Sequence, residues 1–147
     1  MAAAAPIIRT LIAAPSSVVQ TLGDALRDVG VEVRPGTTMM EAESQLAARL
    51  DLILVCYVFD DVRPYRFIGK IRSDGPNTRT PIILVRALPV PLGQSQEWEI
   101  RRAYQSIGVD EFVNYSQLVH DQGAGAANQA LRQCVLRVLR PRSAATA

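Results

Sequence analysis

The chain has 147 residues, 48% of them apolar, and sixteen Lys plus Arg against fourteen Asp plus Glu leave a formal charge of +2. That size suits one domain with a substantial core, and a balance so near neutral gives no bulk-electrostatic case for nucleic acid. No apolar run approaches the roughly 20 residues that would span a bilayer, so membrane insertion is not expected.

Lys70 is the sole lysine, and Cys56 and Cys134 are the only cysteines. One cysteine falls in an apolar run and the other on the apolar face of a helical pattern, which speaks against a disulfide framework and for a reducing cytoplasm. The N-terminus, Met1 to Arg9, lacks a basic leader region, so a signal peptide is not expected. Residues 1–5 read as a flexible start, 6–140 as a single domain and 141–147 as a flexible tail. The initiating Met1 and the frayed end suggest a complete small protein.

Pro6 to Ala14 predicts a first strand ended by Pro15, with Ser16 and Ser17 as candidate N-caps. The following helix buries Val19, Leu22, Leu26 and Val29 and stops at Gly30. Val31 to Arg34 alternates as a short strand, broken by Pro35-Gly36. A second helix starts from Thr37 or Thr38, since Glu41 stands in capping-box spacing to Thr38, and its stripe is Met39, Ala42, Leu46 and Leu50. Asp51 to Asp61 organises the chain: Leu52-Ile53-Leu54-Val55 reads as a strand buried on both faces, leading through Cys56 into a polar loop.

Pro64 suits the first turn of a helix carrying Phe67, Ile68 and Ile71, closed by Asp74-Gly75-Pro76-Asn77. Thr80 to Val85 is a fourth buried strand, and Leu88 to Gly93 is an irregular proline-rich connection. A helix present by Glu97 buries Ile100, Ala103, Tyr104 and Ile107. Val109 to Val113 forms a fifth strand, and Gly123 with Gly125 marks a loose entry to a last helix. That helix buries Leu131, Cys134, Val135, Val138 and Leu139 and turns Arg132, Arg137 and Arg140 outward. Strand and helix thus alternate five times, which specifies a parallel sheet covered on both faces.

Leu50 to Cys56 in the middle, Thr80-Pro81-Ile82-Ile83 opening the fourth strand and Gly108 to Val113 forming the fifth resemble bacterial response-regulator receiver domains. The resemblance covers nearly the whole chain. It implies a doubly wound, flavodoxin-like three-layer sandwich with a five-stranded parallel sheet in the order 2-1-3-4-5. It also implies a phosphorylation site built from an acidic pair after strand one, an aspartate ending strand three, a Thr or Ser ending strand four and a lysine ending strand five. Here those positions hold Ala14 and Pro15, Cys56, Arg86 and Tyr115, and none keeps the required residue. The expectation is a degenerate pseudo-receiver with no metal, no cofactor and no catalysis, since a methyl group and a prolyl ring offer Mg²⁺ no oxygen.

What the resemblance leaves is a surface of the fourth helix, fifth strand and last helix, where receivers meet partners or a second copy. Trp98, Arg101, Arg102, Tyr104, Tyr115, Arg132 and Arg137 are expected to form it, as exposed aromatics with arginines have the composition of an interaction patch. The expected role is an adaptor or regulatory module in bacterial signal transduction whose partner is another signalling protein or a second copy through that face. The competing reading is a sensor for a nucleotide or other small anion in the crevice between strands one and three, lined by Ala14, Ser16, Arg86 and Tyr115.

Narrower chemistries are weaker. Cys56 could serve redox or thiol chemistry if Arg86 lowered its pKa, but a buried core thiol is the expectation. Arg86 is expected to pair with Asp60 or Asp61, and those two carboxylates are expected to be solvated, not metal-bound. The arginines Arg132, Arg137, Arg140 and Arg142 read as the wet face of a helix. His120, the only histidine, falls in an expected loop with nothing catalytic around it.

Overall fold

The computed structural model of the chain describes residues 7–58, 64–87 and 94–140. The expected flexible ends, the carboxylates Asp60 and Asp61, the connection 88–93 and Arg142 lie outside these residues.

Five parallel strands, β1 (Ile8–Ala13), β2 (Val31–Gly36), β3 (Leu52–Cys56), β4 (Ile82–Val85) and β5 (Glu111–Val113), form one sheet in the order β2-β1-β3-β4-β5. This is the doubly wound arrangement expected. The centre of the sheet explains why: every residue of β3 and β4 is buried, as a strand covered by helices on both faces must be. Burying Leu52, Ile53, Leu54 and Val55 contributes roughly 1.5–3 kcal/mol per side chain, so the run that reads most strongly in the sequence also anchors the core.

The helices are α1 (Ser16–Ala25), α2 (Met39–Gln45), α3 (Tyr65–Ser73), α4 (Gln94–Ser106), α5 (Tyr115–Gln122) and α6 (Ala124–Val138). α1 and α6 pack on each other, and Arg132 of α6 donates to the Ala25 carbonyl at 3.1 Å. α2 lies over β1 and β2 and reaches α3 through the Lys70–Glu43 ion pair; α3 in turn meets α4 where the Tyr65 and Tyr104 rings touch. The two groups cover opposite faces of the sheet, as right-handed crossovers in this strand order require.

Local starts and stops depart from expectation in a few places. α1 is capped by Pro15, whose carbonyl accepts from the Val18 and Val19 amides at 2.9 Å; Ser16 and Ser17 are already helical, exposed and make no capping bond. Proline's fixed φ suits a helix entry and its missing N–H leaves no donor stranded, so the helix begins one residue early. Thr38 does cap α2, its Oγ1 accepting from the Glu41 amide at 3.1 Å, while the Glu41 carboxylate accepts from the Thr37 amide.

The helix α5 occupies the stretch expected to be a loop and carries His120 on its exposed side. Asn114 starts it by accepting from the Gln117 amide, and Gly123, at φ +92°, ends it. On α4, Tyr104 is buried and Ile100 and Ile107 are half-buried, whereas Ala103, expected inside, is exposed.

Side chains fix the loops at the amino edge of the sheet. The buried Asn77 amide donates to the Leu46 and Ala48 carbonyls and accepts from the Leu50 amide and the Thr80 hydroxyl. Arg72 reaches from α3 to the Gly108 and Thr80 carbonyls and to Asp110, whose carboxylate also accepts from the Ile82 amide. These bonds hold the segment before β5 against β4 and so set where the carboxyl ends of the strands finish.

Candidate functional site

Parallel pairing brings the ends of β1, β3, β4 and β5 to one edge, and with them Ala14, Cys56, Arg86 and Tyr115. Ala14 is fully buried and its amide donates to the Gly36 carbonyl; Pro15 is half-buried at the start of α1. Neither offers a side-chain oxygen.

Cys56 ends β3 with 1% of its surface exposed. Burial pushes its thiol pKa up, and backbone hydrogen bonds around Val58, Ala87 and Tyr57 only partly oppose that. The thiol is therefore protonated near neutrality, the opposite of what a reactive cysteine needs.

Arg86 follows β4 and is 4% exposed. Its amide donates to the Val113 carbonyl and its carbonyl accepts from the Ser116 amide, so the backbone is locked between β4 and the start of α5. One guanidinium nitrogen, Nη1, donates to the Asn114 side-chain oxygen at 3.1 Å, while Nη2 has no hydrogen-bond partner among the described residues. Among the described residues the partner of the guanidinium is this neutral amide; the expected partners Asp60 and Asp61 lie outside them. A cation thus sits inside the edge where the receiver resemblance implies a metal.

Tyr115 opens α5 and is 5% exposed. Its hydroxyl is tied to the Asn128 side chain of α6, and burial raises its pKa. Tyr115 therefore joins α5 to α6 as a packing residue.

The expected interaction face is only partly present. Trp98, Arg101 and Arg102 are exposed along α4, with the Arg102 guanidinium 4.7 Å from the Trp98 ring centre and that of Arg101 5.5 Å from the Phe112 ring. Tyr104 and Tyr115 are buried and drop out of that face. Arg132 is half-buried against α1, and Arg137 is exposed but paired with Glu111 at 2.8 Å. The apolar packing of α6 on α1 and β5 draws the stem of Arg132 inward, which helical spacing alone does not reveal.

The sequence reading missed two participants, Asn114 and Asn128. The first stands in helix-capping position before Gln117, a legible signal; the second pairs across helices and leaves none.

No protein-family model matches the sequence, and no curated protein matches it either. Solved structures do resemble the fold. A protein provisionally described as a response regulator, from Chloroflexus aurantiacus, superposes with a TM-score of 0.70 at 18% identity, over 92% of this chain and all of that one. A phosphorylated cyanobacterial phytochrome response regulator gives 0.67 at 18% identity over 88% and 91%. The receiver domain of a sensor histidine kinase from Pseudomonas aeruginosa, with magnesium in its active-site cleft, gives 0.60 at 18% over 87% and 97%. At these identities the likeness shows the fold: this chain has the receiver, flavodoxin-like architecture.

Proposed function

We propose that the chain is a pseudo-receiver, a non-enzymatic protein-interaction module of bacterial signal transduction that acts in the cytoplasm without being phosphorylated. The observation that carries this reading is the filled carboxyl edge, where Ala14, Cys56 and Arg86 are at most 4% exposed and bring no carboxylate. A hard divalent cation wants oxygen ligands, and here it would face a methyl group, a protonated thiol and a buried guanidinium. Magnesium does not fit these residues, so no phosphoryl step is routed through it. The same burial counts against a small-anion sensor, because Ala14, Arg86 and Tyr115, three of the four residues expected to line its crevice, are at most 5% exposed; only Ser16 is open.

What remains available is the outer face of α4. Trp98 is 57% exposed and carries Arg102 against its ring, a pairing that presents apolar area and charge together. A partner signalling protein or a second copy is read as docking there. Both cysteines are free and buried, in keeping with a reducing compartment.

The test is affinity capture from the source cytoplasm with the wild-type chain and with Trp98→Ala/Arg102→Glu. Both positions are exposed, so the variant should fold normally. A protein retained by the wild type and lost by the variant is the expected result. Identical retention by both would remove α4 from the reading.

A further inference from the structure

Beside the filled edge, the start of α3 and α4 flank an open cavity of about 430 Å³ lined by Tyr57, Tyr65, Glu99, Ile100, Ala103 and Tyr104. The buried Tyr104 packs behind the other two rings, with the Tyr57 ring 5.9 Å away at 80° and the Tyr65 ring 5.5 Å away at 67°. Elsewhere on α4 the charges are matched: Glu97 pairs with Arg101, and Arg102 lies over Trp98. Among the described residues Glu99 forms no ion pair and no basic side chain lines the cavity.

We propose that this cavity receives the arginine side chain of a partner polypeptide. The proposal rests on the interaction-module reading only in taking the occupant to be part of a protein. Tyrosine rings attract a cation within about 6 Å of their centres, and a carboxylate at the rim supplies the opposite charge. Guanidinium suits such a site better than ammonium, because it is planar, weakly hydrated and able to lie on a ring while bonding a carboxylate with two N–H groups. Its three-carbon stem would rest on Ile100 and Ala103. An acidic occupant would meet Glu99 as a like charge, and a purely apolar one would desolvate that carboxylate without a partner.

The experiment is a ¹⁵N NMR titration of the full chain with acetyl-Gly-Arg-Gly-amide. A citrulline peptide keeps the shape without the charge, and a lysine peptide keeps the charge without the plane. Saturable shifts at Tyr57, Tyr65 and Glu99 to Tyr104 are expected for the arginine peptide alone, weakened about fivefold or more in Glu99→Gln, a change near 1 kcal/mol. The half-exposed Tyr65→Ala should weaken binding as well while leaving the rest of the spectrum in place.

Any of several results would overturn the proposal. These are equal binding of the citrulline or lysine peptide, binding unchanged in Glu99→Gln, shifts centred elsewhere, or no shift up to roughly 10 mM peptide. Shifts at the cavity that depend on protein concentration alone would place a second copy's arginine there and overturn the partner assignment. Captured partners that are lost by Trp98→Ala/Arg102→Glu but kept by Glu99→Gln and Tyr65→Ala would overturn this cavity and leave the interaction reading intact.

Discussion

Asn77 shows how one buried amide can hold two loops. Its side chain bonds Leu46, Ala48, Leu50 and Thr80, so Asn77→Ala strips the Leu46 and Ala48 carbonyls and the Leu50 amide of the partner they have among the described residues. A loss of about 2–4 kcal/mol is expected, read as a lowered urea midpoint with unchanged slope. The sequence marks Asn77 as a turn former, but its bonds to Leu50, Ala48 and Leu46 span 27 to 31 residues and leave no local trace. Cys134 yields a second expectation. Burial, with Glu111 nearby, pushes its pKa from 9.0 to about 11, and Cys56 and Tyr115 are raised too. Unfolded thiols release protons near 9 while the folded ones keep theirs, so the stability present below that pH is lost as pH climbs toward 11. Urea midpoints should therefore fall between about pH 8 and 10.5, and fall less in Cys134→Val.

At the level of elements, the strands were legible because full burial writes an unbroken apolar run, and β3 is the clearest case. α5 was not, since an eight-residue helix shows too little periodicity and is held by an Asn114 cap and a Tyr115–Asn128 bond between helices. Close approach is equally silent in sequence. A Cβ at Gly36 would stand 2.7 Å from the Ala42 backbone, so Gly36→Ala must push α2 off β2 and is expected to cost about 1–3 kcal/mol in chemical denaturation. Gly108 combines φ +108° with Arg72 atoms 2.7 Å from a would-be Cβ, so Gly108→Ala should both strain the turn and loosen the Arg72–Asp110 contact. The candidate site was half legible. Chain position gave Ala14, Cys56 and Arg86 their place at the strand ends, whereas the inward turn of Tyr104, Tyr115 and Arg132 follows from packing that no single element encodes.

Across the whole molecule, a receiver-like sheet carries a carboxyl edge without carboxylates among its described residues and an outer α4 face with exposed Trp98. Among the described residues no helix is long and apolar enough to cross a membrane. The edge and the face are separable by experiment, because a surface double variant leaves the strand ends untouched. Independence from phosphorylation is the claim that joins them, and it is tested most directly by incubating the full chain with acetyl phosphate and Mg²⁺ and measuring its intact mass and its ¹⁵N spectrum. No phosphoryl mass increment and no Mg²⁺-dependent shift at Ala14, Cys56 or Arg86 are expected. A phosphorylated species, or saturable Mg²⁺ shifts at those residues, would contradict that independence.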